Sequence, residues 1–286
     1  MFQIASKITA NWHLIKRCNY KCKFCFAHFE KSRNHLHIDE SKMILKELAD
    51  NNVYKVNFAG GEPLLHPELP ALIEETVRLG MRASLISNGS LFTRSFIQKT
   101  APLLSQVGLS CDSLDDQVNS DIGRGFGNHV PIIARAFTRL HTHAPHVQKK
   151  LNTVVMRPTL NSDFSGFIQK YHIDRWKVFK ILKIQGENDH IYDDISITDK
   201  EFSQFLSRHK SVKCLVPEDN NAMLGSYIML DPEGRIYQNF SGVYKRGRPI
   251  QSIGLAASLS ESGGFAEDKF HTRLGSYDLD FAIQDK

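Results

Sequence analysis

No hydrophobic run in this chain of 286 residues approaches the roughly 20 residues needed to cross a bilayer as a helix, which excludes a helical membrane span. The stretch Met1 to Thr9 has neither the length nor the charge pattern of a targeting peptide, so a soluble cytoplasmic protein is expected. Cysteine is scarce. Five of them, an odd number with no secretory leader, argue against a disulfide framework. There is no internal repeat, no low-complexity segment, no RNA-recognition signature and no concentrated basic stretch, so nucleic acid is not an expected partner. The positive excess is small, +5 with a pI near 8.9, and suits an anionic ligand. With 41% hydrophobic and 23% charged residues, what remains is an ordinary globular protein, expected to be monomeric.

What the chain does have is Cys18-Asn19-Tyr20-Lys21-Cys22-Lys23-Phe24-Cys25-Phe26, three thiols with the spacing C-x3-C-x2-C. Three thiolates this close can hold three irons of a cubane cluster and leave the fourth iron open for chemistry. A structural zinc site would need a fourth ligand, and His28 is the one at hand. Tyr20, Phe24 and Phe26 would screen an oxygen-sensitive cluster from water.

Strand and helix patterns alternate along the chain. Strands are expected at residues 7–15, Lys55 to Phe58, Arg82 to Ser87, Gln106 to Cys111, Lys150 to Met156 and Arg175 to Ile184. Between and after them, helices are expected from an N-cap at Asp39, over Glu68 to Leu79 with Gly80 as its stop, His129 to His143, Asp163 to Tyr171 and Thr198 to His209. Tyr227 to Leu230 and Arg235 to Tyr237 flank Asp231-Pro232-Glu233-Gly234 as a hairpin. The expected class is α/β, a partial (β/α)6 TIM-like barrel over residues 1–210, followed by a C-terminal extension over 211–286 that closes the site. The cysteine triplet, Gly60-Gly61-Glu62-Pro63, Ser87-Asn88-Gly89 and Asp112-Ser113 all follow expected strands, on the face where such barrels build active sites.

The triplet, with an aromatic before its last cysteine, resembles the signature of the radical S-adenosylmethionine (SAM) enzymes. That resemblance implies a [4Fe–4S] cluster on Cys18, Cys22 and Cys25. It also implies SAM bound by Phe24, by Gly60, Gly61 and Glu62 at its amino group, by Ser87 and Asn88 at its ribose, and by Ser113 and Arg124 at its carboxylate. Further stretches are similar to the viperin family: Trp12-His13-Leu14, Ser110-Cys111-Asp112-Ser113, Ile122-Gly123-Arg124-Gly125, Arg175-Trp176-Lys177-Val178-Phe179, Gly186-Glu187-Asn188, Arg208-His209-Lys210 and Cys214-Leu215-Val216-Pro217-Glu218. This similarity runs from about Asn11 to Asp280. It implies an antiviral enzyme that converts a nucleoside triphosphate (CTP, UTP or GTP) to its 3'-deoxy-3',4'-didehydro analogue, a polymerase chain terminator, with a flavodoxin or ferredoxin as electron donor.

The residues themselves agree on an anionic substrate. Arg175 and Lys177, two apart on one strand, share a side, and Lys150 lies on the preceding strand; such cations are costly inside a barrel unless an anion meets them. The resemblance assigns these three to the phosphates, Asn152 to the sugar, Lys245, Arg246 or Arg248 to a clamp over the phosphates, and Tyr227 to donation of the final hydrogen atom. Three departures stand out. The family's Asn-Phe-Trp-His reads Ala10-Asn11-Trp12-His13 here, which would turn Asn11 to the opposite side of a regular strand. The N-terminal amphipathic membrane helix of animal members is not seen before the first strand. A terminal Leu-Asp-Trp is replaced by Leu279-Asp280-Phe281 and five more residues. The rival readings are a radical SAM enzyme for a peptide, tRNA or other nucleotide, and a zinc-dependent nucleic-acid-binding module.

Overall fold

The computed structural model describes residues 7–273. Its strands are β1 (Thr9–His13), β2 (Lys55–Ala59), β3 (Arg82–Ser87), β4 (Leu104–Ser110), β5 (Gln148–Val155), β6 (Arg175–Lys180), β7 (Leu215–Glu218), β8 (Ile228–Leu230), β9 (Arg235–Gln238) and β10 (Lys245–Pro249). The helices are α1 (Ile38–Asp50), α2 (Leu69–Arg78), α3 (Arg94–Lys99), α4 (Asp116–Asp121), α5 (His129–His143), α6 (Ser165–Lys170), α7 (Asp189–Ile195), α8 (Asp199–Arg208), α9 (Asn220–Met223), α10 (Ile250–Ile253), α11 (Leu255–Ser262) and α12 (Glu267–Thr272). The strands form one sheet in the order β10-β9-β8-β1-β2-β3-β4-β5-β6-β7. From β1 through β7 every neighbouring pair is parallel, β8 runs parallel to β1 on its other side, and β9 returns antiparallel to β8. The first six strands thus lie in the expected order, and the segment after 210 adds β7 at one edge and β8 to β10 at the other.

Period-two alternation along these strands gives the barrel two different faces. Outward positions are apolar: Ala10 and Trp12, Val56 and Phe58, Ala83 and Leu85, Val107 and Leu109, Trp176 and Val178 form one core with Ile44, Leu45, Leu48, Leu72, Ile73, Phe137, Leu140 and Phe205 of the surrounding helices. Each large side chain buried there contributes about 1.5–3 kcal/mol. Inward positions are polar. Asn11, Asn57, Ser84 and Gln106 stand level across β1 to β4, Lys150 stands level with Arg175, and Asn152 with Lys177. An interior of this kind is a chamber, unlike the branched-apolar filling of an ordinary barrel.

Local chemistry sets several element ends. Gly80 takes the left-handed conformation that stops α2, at φ 79°. In the β8–β9 hairpin Gly234, at φ 75°, donates its N–H to the Asp231 carbonyl. The expected N-cap at Asp39 is corrected: α1 begins at Ile38, His37 holds the cap position, and Glu40 reaches back to the His37 N–H at 3.2 Å. β6 ends at Lys180 rather than Ile184, because Asn188 takes up the 182–184 backbone, its side chain accepting from Ile184 N and donating to Leu182 O. No helix of the described residues is long and apolar enough to cross a membrane. Leu279-Asp280-Phe281 lies outside the described residues.

Candidate active site

The three cysteines sit on the loop that leaves β1, each as a free thiol. Two neighbouring loops hold this one by backbone pairing. From the β2 side, Gly61 donates to Ile15 O (2.6 Å) and Glu62 to Arg17 O (2.9 Å); from the β4 side, Gly123 O accepts from Lys21 N (3.2 Å) and Ile122 O from Lys23 N (3.0 Å). A Cβ on Gly61 would stand 2.4 Å from the Arg17 and Lys16 carbonyl oxygens, and one on Gly123, at φ 79°, would stand 2.1 Å from Lys21 O. The expected close backbone approach at Gly60-Gly61 is therefore found, but its partner is the cysteine loop itself. Gly60 likewise abuts Ile15.

Amide groups point at the sulfurs. Tyr20 N lies 3.4 Å and Asn88 Nδ2 4.0 Å from Cys18 Sγ. Burial pushes the Cys22 and Cys25 thiols up, to about 12 and about 11, against the pull of Arg124 on both. Phe24 is buried beneath the loop with the Arg124 guanidinium 5.3 Å from its ring, and Tyr20 is buried beside it. Phe26 is 40% exposed and does not screen the thiols as expected; its carbonyl instead accepts from the Tyr244 hydroxyl at 2.6 Å. Three free thiols on one loop, met by amide donors and half-screened by aromatics, fit an iron–sulfur cluster. His28 is turned to Glu187, its Nδ1 at 3.6 Å, and among the described residues no group of three His, Cys, Asp or Glu side chains could hold a single metal ion.

The loops after β2, β3 and β4 knit together around Glu62. This buried carboxylate accepts from the Ser87 hydroxyl (2.8 Å), Asn88 N (2.8 Å) and Leu64 N (3.2 Å), while burial pushes it up to about 7. Asn88 donates to Asn19 Oδ1 at 2.9 Å, tying the β3 loop to the cysteine loop. Arg124 is held by Asp112 at 2.7 Å, and Asp112 in turn accepts from Val154 N of β5 at 2.9 Å. Ser113 is buried, its hydroxyl 3.0 Å from that of Ser162 and accepting from Asp115 N. These groups, drawn from different loops, meet on the side of the barrel from which the cysteine loop emerges.

Inside the barrel lies a cavity, about 410 Å³ including its opening to solvent, lined by Thr9, Asn11, Lys55, Asn57, Gln106, Lys150, Arg175, Lys177, Tyr227, Phe270 and Arg273. Five of its lining residues are basic and none is acidic. Burial and then the neighbouring Arg175 bring Lys150 down to about 7, and burial likewise lowers Lys55 and Lys177 well below the usual lysine value. Asn152 stands beside Lys177 across β5 and β6, and its side-chain oxygen is buried without a hydrogen-bond partner among the described residues. The gap between β7 and β8 is spanned by side chains. Glu218 of β7 accepts from Lys177 and from the Tyr227 hydroxyl, and Arg273 reaches Glu218 at 3.5 Å and Ser226 O at 2.7 Å. Arg273 also lies over the Tyr227 ring, 3.5 Å from its centroid.

Lys150, Arg175, Lys177 and Tyr227 are thus brought together as the sequence predicts. Lys245, Arg246 and Arg248 are not. They are exposed on β10 at the sheet edge and line no part of the cavity: Arg248 forms a paired bridge to Glu261 (2.6 and 2.9 Å), and Arg246 leans on Asp231 at 3.6 Å. Asn11 is corrected as well. It faces the cavity and accepts from Asn57 Nδ2 at 2.8 Å. Sequence reasoning missed Lys55, Gln106, Glu218 and Arg273. The clue for Lys55 was the polar i, i+2 pair Lys55/Asn57, matching Thr9/Asn11 on the neighbouring strand.

An open parallel barrel with a three-cysteine loop at its mouth defines the radical SAM class, and the radical SAM superfamily is matched over residues 12–171. A structure of anSMEcpe with bound AdoMet shares this fold at a TM-score of 0.67 and 18% identity, over 92% of this chain and 83% of that one. Streptococcus suis SuiB bound to S-adenosylmethionine does so at 0.63 and 16%, over 82% and 60%. Among its relatives, the S-adenosylmethionine-dependent nucleotide dehydratase of Flammeovirga pacifica is 34% identical over 94% of this chain and 95% of its own length. That of a Thermoplasmatales archaeon is 37% identical over 83% and 85%. That of Lacinutrix mariniflava is 38% identical over 95% of this chain, which spans 59% of its length. The chain belongs to the family of S-adenosylmethionine-dependent nucleotide dehydratases, the viperins, within the radical SAM superfamily.

Proposed function

We propose that this protein removes water from the ribose of a nucleoside triphosphate, giving the 3'-deoxy-3',4'-didehydro analogue, a chain terminator for viral polymerases. The observation that carries the substrate class is the chamber itself: Lys55, Lys150, Arg175, Lys177 and Arg273 converge on one cavity to which no lining residue contributes a carboxylate. Several negative charges in a small volume are what such a set binds, by charge-assisted hydrogen bonds.

Cys18, Cys22 and Cys25 would hold a [4Fe–4S] cluster, and cluster and SAM together supply an adenosyl radical when bound. The chain's own residues do the rest. Gly60, Gly61 and Glu62 would shape the loop for the SAM amino group, Ser87 and Asn88 would meet the ribose, and Ser113 and Arg124 the carboxylate; Phe24 lies against Arg124 and Ser87 donates to Glu62. Lys150, Arg175 and Lys177, which line the chamber, would fix the phosphates, and Asn152, whose side-chain oxygen is buried without a hydrogen-bond partner among the described residues, would meet a sugar hydroxyl. Positioning matters here, since a displacement of about 1 Å can cost on the order of a hundredfold in rate. Tyr227, lining the chamber, supplies a hydrogen atom at the end. Its electron closes the shell of the sugar, and its proton balances the hydroxyl that leaves as water.

The partners that fit this reading are a flavodoxin or ferredoxin as reductant and a monomeric enzyme in the cytoplasm. The test is anaerobic turnover of the reconstituted protein with CTP, UTP, GTP and ATP offered separately. The expected result is 5'-deoxyadenosine and a didehydro nucleotide from one or more of them. SAM cleavage indifferent to all four would refute the reading.

A further inference from the structure

Glu218 ends β7 fully buried beside a basic chamber, where a carboxylate works against a polyanion. It offsets Lys177 and Arg273, and burying it is costly unless both its oxygens are engaged. Oε1 takes Lys177 Nζ and, at 3.5 Å, Arg273 Nη1; Oε2 takes the Tyr227 hydroxyl. One whole side of the carboxylate is therefore given to a phenol and not to a cation. Burial first, then Lys177 and Arg273 with the larger combined effect, set the group to about 2, so it is ionised and able to accept.

The phenol it holds is difficult to oxidise alone. Arg273 lies over the ring at 3.5 Å and Lys177 Nζ is 3.2 Å from the oxygen, two cations that disfavour loss of an electron. Burial keeps the proton on the oxygen. Electron loss from such a phenol requires that the proton leave with it, and an oxidised phenol is acidic enough to protonate even a strongly stabilised carboxylate. Among the described residues hydrogen-bonded to the Tyr227 hydroxyl, Glu218 is the base.

Resting on the reading of Tyr227 as hydrogen donor, we propose that Glu218 orients the Tyr227 hydroxyl and takes its proton as the electron passes to the sugar. In that step the 3' C–O bond of the C4' radical breaks, the C3'–C4' double bond forms, and one electron moves from the phenol to the sugar. The departing hydroxide takes a solvent proton and becomes water, while Glu218 holds the proton of the phenol beside the phenoxyl radical that remains. A one-electron carrier protein then reduces the phenoxyl, which regains its proton from Glu218.

The experiment is single turnover of the holoenzyme and its E218Q and E218D variants with each of the four nucleoside triphosphates. E218Q can accept a hydrogen bond but cannot store the proton. It is expected to keep nucleotide-dependent formation of 5'-deoxyadenosine while yielding about 100-fold less didehydro nucleotide per 5'-deoxyadenosine. E218D recovers much of that ratio, and freeze-quenched wild-type enzyme shows a phenoxyl electron-spin signal that E218Q lacks. A Glu218 that merely balances charge predicts a changed nucleotide affinity with a wild-type product ratio, and that outcome overturns the proposal. Should E218Q not fold, infrared difference spectra of the wild type decide: a protonated-carboxyl band must rise with the phenoxyl, and its absence refutes the assignment. Wild-type enzyme that forms no didehydro product would instead refute the nucleotide reading itself.

Discussion

Lys150 is the residue at which the chamber's charge becomes measurable. Burial and then Arg175 bring it to about 7 in the empty protein. A bound polyphosphate favours the ammonium and raises that value, so binding above pH 7 takes up a proton. Nucleotide affinity is therefore expected to fall as pH rises above about 7, by up to tenfold per unit for one proton. Calorimetry in two buffers of different ionisation enthalpy checks this, and identical heats would contradict it. For the empty protein the sign is opposite in sense. Because Lys150 binds its proton less well folded than unfolded, stability from this group rises with pH from about 7 toward the ordinary lysine value. A second residue-scale prediction is Tyr227→Phe, which should still cleave SAM when nucleotide is present but make little didehydro product; a wild-type yield per SAM consumed would exclude Tyr227 as the donor.

Among elements, the cysteine loop is defined less by its own sequence than by the two loops that clamp it. Gly123→Ala would drive a methyl group to within 2.1 Å of Lys21 O at a positive φ. Such strain costs on the order of 1–3 kcal/mol. The variant should lose most of its iron while keeping its helix content, as iron analysis beside circular dichroism would show; full iron loading would mean that the clamp is dispensable. The cysteine spacing and the first six strands were legible because each is a local pattern: thiols within one loop, apolar runs bounded by turns. β7, only Leu215–Glu218, was not legible, and neither were the short helices α3, α4 and α7, which are too brief to show a period. Lys245, Arg246 and Arg248 misled for a physical reason. A cluster of cations reads the same whether it faces a phosphate or solvent, and only the pairing of β10 with β9 puts these three on an edge. Asn11 misled through parity, since the inward side of β1 is fixed by its register with Asn57 and not by its neighbours in sequence.

For the molecule as a whole, the chamber is closed by residues far apart in the chain. Arg273, at the end of α12, is what spans the β7–β8 gap, and no local pattern predicts that a residue this late lines the first strand's cavity. Arg273→Ala should weaken nucleotide binding by about 1.5–3 kcal/mol, the worth of a charge-assisted contact, and leave SAM affinity unchanged. Equal loss of both affinities would mean that the residue supports the fold as a whole and not the chamber.

The polar lumen also separates what stabilises this protein from what it binds. Most of its apolar packing lies outside the strands, with Phe270 reaching the chamber, so the inside of the barrel adds like-charge repulsion where other barrels add packing. The empty protein therefore behaves as a loaded spring whose relief is any compact polyanion. Ligand at 100 times its dissociation constant adds about 2.7 kcal/mol by mass action alone. Inorganic tripolyphosphate, which has no sugar or base to react, should accordingly raise the melting temperature of the cluster-free chain by several degrees, and far more at low salt than at high. A melting temperature indifferent to tripolyphosphate would mean that the interior cations are already at rest.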